Sequence, residues 1–247
     1  MYEKGICDVD FVICNTDYQA LRNSPIPCKI QLGKELTAGH GAGNNPAMGE
    51  KSAQESLADI EAILKKDTRM AFITAAMGGG TGTGAAPVIA RLSKDMGILT
   101  VGIVSVPARF EGPKRLDQAR DGLRRLKDHV DCLIVIDNEK IKSIYGSQTI
   151  SQAFAKANDV LNIAAKGIAE IITLPGYINV DFADVRTVMT DSGVAIMGAA
   201  QASGEDRAIR AITEALESPL LNNNDILGAK DIFDNPYRGN GKQAEQI

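Results

Sequence analysis

Five glycines lie within seven positions of the stretch AAMGGGTGTGAAP, residues 75–87, which joins an apolar run to an alanine-rich run. A glycine-rich turn between a strand and a helix directs backbone N–H groups and the positive helix end at an anion. Close helix–strand packing would need only one or two glycines, so the stretch predicts a phosphate-binding loop. Its glycines and hydroxyl donors are Gly78, Gly79, Gly80, Thr81, Gly82, Thr83 and Gly84.

The residues that follow this loop limit which type of phosphate-binding site it can form. No Gly-Lys-Ser/Thr follows it, so it is not a Walker A loop. The residues from Gly80 to Ala85 fit G-x-G-x-x-A, a weak dinucleotide signature. A dinucleotide site also needs an acid at the end of the next strand to bind the ribose, but that strand ends Val104-Ser105-Val106-Pro107. An NAD-dependent oxidoreductase therefore stays as a less favoured alternative.

On both sides of the loop, short apolar segments typical of strands alternate along the chain with segments of helical periodicity. This alternation predicts an α/β fold with a doubly wound, mostly parallel sheet and helices on both faces. We expect one long helix over 151–173, with Ser151 as its N-cap and Pro175-Gly176 as its stop. It would span roughly 30 Å, enough to link two sites. The predicted strands are 8–15, 28–32, 69–77, 98–106 and 129–137, with 193–202 as a candidate, and the other helices lie near 46–66, 84–96, 113–128, 181–191 and 205–218.

Composition excludes several classes of protein. The 247 residues are 44% hydrophobic and 23% charged, enough to build a sizeable core, and the net charge of −4 argues against a sequence-independent nucleic-acid binder. The four cysteines have no C-x-x-C spacing and the two histidines are isolated, so we predict free thiols and no protein metal site. No apolar run approaches the roughly 20 residues of a membrane span, and no signal-peptide core follows Met1. We expect a cytoplasmic protein.

Six segments together resemble the FtsZ family of tubulin-like GTPases, which forms bacterial cell-division filaments. They occur in family order between about residue 5 and residue 230. The segments are NTDYQAL (15–21), GHGAGNNP (39–46), GGGTGTG (78–84), RFEGPKR (109–115), FAKANDVL (154–161) and NVDFADV (179–185). The resemblance implies a GTPase that uses GTP and Mg²⁺, self-associates into filaments, and acts in the cytoplasm at the division septum.

The same resemblance assigns nucleotide contacts. The loop 78–84 would cradle the phosphates, a second glycine loop would close over the γ-phosphate, and Glu111 and Arg115 would contact the sugar and phosphates. From the residues alone, the second loop also fits a flexible connection, and Glu111 with Arg115 fits an i,i+4 surface ion pair. Asn138 and Asp159 match guanine-reading positions, and Phe154 would stack on the base, although a Phe in a helical stripe is more often core. The remaining assigned residues are Asn15, Thr16, Asp17, Gly41, Ala42, Gly43 and Asn44.

NVDFADV carries the catalytic candidates Asn179, Asp181 and Asp184. Asp181 and Asp184 are three residues apart, hence on one face of a helix, but an N-cap followed by a first-turn acid gives the same pattern. In the family these residues enter the site of the next subunit in the filament and polarise the water that attacks the γ-phosphate. The resemblance therefore implies hydrolysis between subunits.

The chain departs from the family at both ends. By the resemblance, Met1 would fall near the end of the family's first helix. We therefore expect the first strand and its glycine loop to be missing and, because that strand is central in a 3-2-1-4-5-6 order, the sheet to be split. We also expect the family's C-terminal domain, through which other division proteins and membrane tethers would bind, to be missing after about Lys230. We expect a GTP-binding domain over 1–174, a catalytic loop, helices and truncated second domain over 175–230, and a disordered tail over 231–247. A non-catalytic remnant is the alternative function.

Overall fold

Six of the described strands form two separate parallel sheets in the computed structural model. The described residues are 2, 5–6, 8–65, 67–140, 150–173, 181–195, 200, 202–216, 237–238 and 245–246. The first sheet pairs β1 (Val12–Asn15) with β2 (Cys28–Gln31). The second has the order β3 (Met70–Ala76), β4 (Leu99–Val106), β5 (Cys132–Asp137) and β6 (Gly193–Ala195). No ladder joins the two sheets within the described residues, which confirms the expected split.

Helices cover both faces of the larger sheet, which confirms the predicted fold class. Their bounds are α1 Tyr18–Asn23, α2 Lys34–Thr37, α3 Pro46–Glu55, α4 Leu57–Leu64, α5 Thr81–Asp95, α6 Pro113–Lys127, α7 Ile150–Thr173, α8 Phe182–Met189 and α9 Arg207–Leu216. A 3-10 turn, Arg109–Glu111, precedes α6. The described tail residues form a short antiparallel pair of β7 (Tyr237–Arg238) with β8 (Glu245–Gln246), while the proposed tail 231–247 as a whole stays a prediction.

The central strand β4 is buried on both faces because its side chains alternate between two helical layers. Val101 and Ile103 pack in one cluster with Ala165 of α7. Val104 packs in a second cluster with residues of α5 and α6, among them Ala90 and Leu126. A third cluster joins the small sheet to the rest of the core through α5: its members include Ile30, Leu32, Ala85 and Val88.

Several predicted boundaries are corrected by the structure. The helix expected over 46–66 is two helices, because Ser56 leaves the helix and its hydroxyl instead accepts from Gly33 N (3.1 Å) and donates to Gln31 O (3.4 Å). The helix expected from residue 84 begins at Thr81, so half of the glycine stretch is its first turn. Of the candidate strand 193–202, residues 193–195 are a strand and 196–199 lie outside the described residues.

Two short helices were not predicted. The Asp17 carboxylate caps α1 by accepting from Gln19 N (2.8 Å) and Ala20 N (3.2 Å), and α2 has only four residues. None of the helices within the described part of the chain is long and apolar enough to cross a membrane.

Candidate nucleotide site

The carboxyl ends of β1 and β3 meet at the start of α5. The Thr16 and Thr81 hydroxyl oxygens lie 2.7 Å apart, and Thr16 is fully buried. Because ligands of open parallel sheets bind outside the carboxyl ends of the strands, this contact marks the end of the sheet where a ligand is expected. It joins two predicted binding segments that are 65 residues apart in the chain.

The second glycine loop folds onto the same end of the sheet. Gly41 N donates to Thr16 O (3.2 Å) and Tyr18 N donates to Gly39 O (3.0 Å). Asn44 adopts a positive φ of 56°, which asparagine tolerates better than most residues. A Cβ on Gly80 would lie 2.9 Å from the Ala42 side chain. The two predicted glycine loops are therefore in direct contact.

At four glycines of the first loop, other parts of the protein itself come close to the loop backbone, so a ligand is not the only reason for these glycines. A Cβ on Gly82 would lie 2.5 Å from Ala76 O, and one on Gly84 would overlap the carbonyl oxygen of Pro46. A Cβ on Gly80 would lie 2.8 Å from Asn45 N, and one on Gly78, whose φ is +100°, would lie 2.9 Å from Arg115 O. Helix packing therefore accounts for more of these glycines than the one or two expected from the sequence.

Gly79 is different from its neighbours. Nothing described lies within 4 Å of a Cβ placed on it, so its lack of a side chain is not explained by packing. Beside it, the Thr83 hydroxyl accepts a hydrogen bond from Gly78 N (2.8 Å) and is fully buried. Thr83 therefore shapes the loop from inside, while Gly79 borders open space at the N-terminal end of α5.

Glu111 and Arg115 lie beside this loop and pair with each other. Arg115 Nη1 donates to Glu111 Oε2 (2.9 Å), and Glu111 Oε1 accepts from Ala108 N (3.0 Å). The Glu111 side chain is only 12% exposed, whereas that of Arg115 is 52% exposed. The i,i+4 ion pair is thus present, and Arg115, whose backbone oxygen and Cβ lie beside Gly78, carries the more exposed group of the pair.

Asn138, immediately after β5, has a buried side-chain oxygen without a hydrogen-bond partner among the described residues. Buried amide oxygens are normally hydrogen-bonded, so an orphaned one needs an explanation. Asp159 is half-buried on α7 and has an interaction partner. The Phe154 side chain lies outside the described residues, although the α7 backbone is described there.

Gln118 is a site residue that the sequence does not indicate. Its Nε2 donates to Asn44 O (3.1 Å), so α6 holds the second glycine loop, and its Oε1 is a second buried acceptor without a partner in the described part of the chain. No pattern in the sequence singles it out, because a lone Gln in an amphipathic helix is usually a solvated residue.

The candidate catalytic acids begin α8 and cap it. Asp184 N donates to Asp181 Oδ1 (2.9 Å), and Asp181 N donates to Asp184 Oδ2 (3.2 Å), which is a reciprocal capping box. The two acids therefore form the helix cap that their spacing also allowed. Both side chains are exposed, and each carboxylate uses only one oxygen in the box. Asn179 lies outside the described residues.

The acids lie at the opposite end of the larger sheet from the glycine loop. The Arg69 guanidinium carbon is 4.9 Å from the centre of the Phe182 ring, and Arg69 immediately precedes β3. The glycine loop follows the other end of the same strand. Seven strand residues at about 3.3 Å each separate the two ends by roughly 23 Å. The acids of one chain therefore do not reach the glycine loop of that chain.

Ion pairs hold α8 at that end of the sheet. Lys94 Nζ lies 2.8 Å from Asp191 Oδ1 and 3.2 Å from the buried Asp131 Oδ1. The hydrogen bond to Asp191 is the main cause that raises the pKa of Lys94, burial opposes it, and Asp131 adds to the rise. Arg186 Nη2 also donates to Gly97 O (3.2 Å). These positions are up to 97 residues apart in the chain, so their proximity could not be predicted from spacing.

Comparison with known proteins gives consistent matches. The family model described as "Tubulin/FtsZ family, GTPase domain" matches residues 2–146. The chain is 50% identical over 240 residues to the cell division protein FtsZ of Porphyromonas gingivalis, covering 97% of this chain and 52% of that protein. It is 48% identical over 234 residues to cell division protein FtsZ of Aquifex aeolicus, covering 94% and 64%.

Among solved structures, "FtsZ dimer, empty (M. jannaschii)" matches with a TM-score of 0.85 and 47% identity, covering 90% of this chain and 64% of that one. The chain thus spans between about half and two thirds of the length of these relatives. The matches favour a GTPase domain over the dinucleotide-binding alternative.

Proposed function

The chain belongs to the Tubulin/FtsZ family of GTPase domains, and on that premise we propose that it binds GTP at the carboxyl ends of β1, β3 and β5. The observation that carries this proposal is the buried, unpartnered oxygen of Asn138. It follows β5 at the carboxyl edge of the larger sheet, the same edge at which the glycine loop follows β3 two strands away, so a nucleotide with its phosphates at the loops could extend its base along this edge toward Asn138. The septal, filament-forming role is proposed from the same family membership.

The phosphates would lie against the N-terminal end of α5 and Gly79. The helix end carries a partial positive charge and unpaired N–H groups, and Gly79 leaves room for close approach. The exposed Arg115 guanidinium adds a cation beside the loop. Bound Mg²⁺ would neutralise phosphate charge. The described residues contain no group of three His, Cys, Asp or Glu side chains that could hold a metal ion, so the nucleotide's own oxygens would supply ligands.

Asn138 and Asp159 would read the base. A carboxylate accepts two N–H bonds from the edge of guanine, whereas the corresponding edge of adenine presents the wrong donor pattern, and the Asn138 oxygen adds a further acceptor. Discrimination of this kind is strong because a mismatched base leaves buried polar groups without partners. We therefore propose GTP, not ATP, as the nucleotide.

Hydrolysis would take place between two copies of the chain. The glycine loop and α8 lie near opposite ends of β3, which is roughly 23 Å long, and this separation supports a site completed by a second copy. Copies stacked end to end would place Asp181 and Asp184 of one copy against the glycine loops of the next. There a carboxylate oxygen not used in the capping box would orient the attacking water and accept its proton.

A second candidate, a non-catalytic protein of the same family, is favoured by one observation: β1 and β3 are not joined in one sheet among the described residues. The two candidates differ in one measurable respect. A GTPase predicts a rate of phosphate release per chain that rises with protein concentration, because each site needs a neighbour, whereas a non-catalytic protein predicts no phosphate release at any concentration.

Asn138→Leu tests the binding site. Because the Asn138 oxygen has no hydrogen-bond partner among the described residues, leucine of similar shape should keep or raise stability, by up to about 1–3 kcal/mol. GTP affinity should nevertheless fall. Thr173→Val is the matched control, since the Thr173 hydroxyl is also buried and unpartnered in the described structure but lies at the far end of α7. Loss of stability with unchanged GTP affinity in Asn138→Leu would assign the residue to the core and not to the site.

A further inference from the structure

A groove of about 650 Å³ runs along the outer edge of β2, apart from the nucleotide site. One wall is formed by α1, through Tyr18, Leu21 and Arg22, and the other by α4, through Asp59, Ala62 and Ile63. Three successive residues of β2, from Lys29 to Gln31, line its floor, and Lys34 closes one end. The groove is therefore bordered by two helices that flank an edge strand.

The floor of this groove presents backbone groups without partners from the sheet. β2 pairs only with β1 among the described strands. Leu32 N donates to Asn15 O (2.8 Å), which directs alternate residues of the segment toward β1. The N–H groups of Lys29 and Gln31 and the carbonyl of Lys29 consequently point to the open edge. Such an edge is a template for an added strand.

The groove carries more basic than acidic side chains, which favours an acidic binding partner. Arg22, Lys29 and Lys34 are exposed basic residues, against one carboxylate, Asp59, which is already paired with Lys34 (3.4 Å). The Arg22 guanidinium has no ion pair or hydrogen bond within the described part of the chain. Between the charges lie apolar surfaces of Tyr18, which is 56% exposed, and Ile63.

We propose that this groove binds an extended segment of a partner protein in which acidic and apolar residues alternate, and that the segment adds as a strand to the edge of β2. Backbone bonds to Lys29 and Gln31 give affinity, and alternate side chains meet the apolar wall and the cations. Because the groove does not include the phosphate loops, binding does not depend on the nucleotide.

The test uses a blocked peptide of four Glu-Val repeats, titrated into the whole chain without nucleotide at low salt. We expect saturable one-to-one binding that weakens at least tenfold in 0.5 M salt, because exposed charges are then screened. Arg22→Glu and Lys29→Glu should each lower the affinity about tenfold, while Arg120→Glu, an equally exposed change on α6, should not alter it. Arg22→Glu removes no side-chain hydrogen bond or ion pair found among the described residues, and a thermal melt tests whether each variant is folded.

Two further probes separate strand addition from charge attraction alone. The same peptide with N-methyl groups on alternate residues keeps its charge but loses donors, so we expect it not to bind. A blocked peptide of Lys-Val repeats should not bind either. Equal binding of the methylated peptide, or tighter binding of a ten-residue thymidine oligonucleotide than of the acidic peptide, would overturn the proposal.

Discussion

Two glycines of one loop should respond to alanine in opposite ways. In Gly84→Ala the new Cβ would overlap Pro46 O and lie 2.6 Å from Glu50 N, both backbone atoms of α3 that cannot rotate away. Forcing α3 and α5 apart should cost about 3 kcal/mol or more. For a chain of this size that lowers the melting temperature by about 6–12 °C.

Gly79→Ala should leave the fold intact. Nothing described lies within 4 Å of the new Cβ, and Gly79 is not in the left-handed region. The unfolded chain loses entropy, so stability should rise by about 0.4–1 kcal/mol. If the methyl group occupies the phosphate position and weakens GTP tenfold, the stabilisation by GTP at one hundred times the parent Kd falls from about 2.7 to about 1.4 kcal/mol.

The assay is a urea titration of the parent and of both variants, each with and without GTP and Mg²⁺. We expect Gly84→Ala to lose stability without nucleotide, and Gly79→Ala to lose only the increment that GTP adds. Stability of Gly84→Ala equal to that of the parent would show that α3 and α5 do not approach each other this closely. A full GTP increment in Gly79→Ala would show that the phosphates do not lie against Gly79.

Three other predictions follow from the site. Asp181→Ala should leave GTP binding intact and nearly stop phosphate release, with about 1 kcal/mol lost from the α8 cap; phosphate release at the parent rate would contradict the assignment. Lys94→Met should loosen the turn after α8, which would be seen as faster amide exchange there. The pKa of Lys94 is raised in the folded state, so the stability that Lys94 contributes is complete below its ordinary pKa of 10.5 and is lost as pH rises through the higher folded pKa. Alkaline unfolding curves of parent and variant should therefore converge at high pH. Burial, with a smaller effect of Cys28, raises the pKa of Cys14 to about 11, so iodoacetamide at pH 8 should modify it slowly in the folded chain and rapidly in urea; fast labelling of the folded chain, read by mass spectrometry, would argue against its burial.

The sequence predicts those features that depend on local pattern. The alternation of apolar runs places β3, β4 and β5 correctly, and the glycine stretch marks the start of α5 because few other arrangements need so many glycines. The capping box at Asp181 and Asp184 was recognised as an alternative because caps are local.

Features that depend on distant residues could not be predicted. The helical pattern is interrupted at Ser56 because its hydroxyl forms hydrogen bonds with the backbone of Gly33 and Gln31, more than 20 residues away. The packing role of Gly84 exists only because α3 approaches α5 from another part of the chain. In the same way, Gln118 becomes a support of the second glycine loop only when α6 is placed beside Asn44.

The proposed recognition of GTP where the two glycine loops meet is tested most directly by a calorimetric titration of the purified chain with GTP and, separately, with ATP, both with Mg²⁺. We expect one GTP per chain and ATP binding at least a hundredfold weaker, because adenine does not present the donor groups that the buried Asn138 oxygen and the half-buried Asp159 carboxylate would accept from guanine. Equal affinity for the two nucleotides, or no saturable binding of GTP, would contradict it.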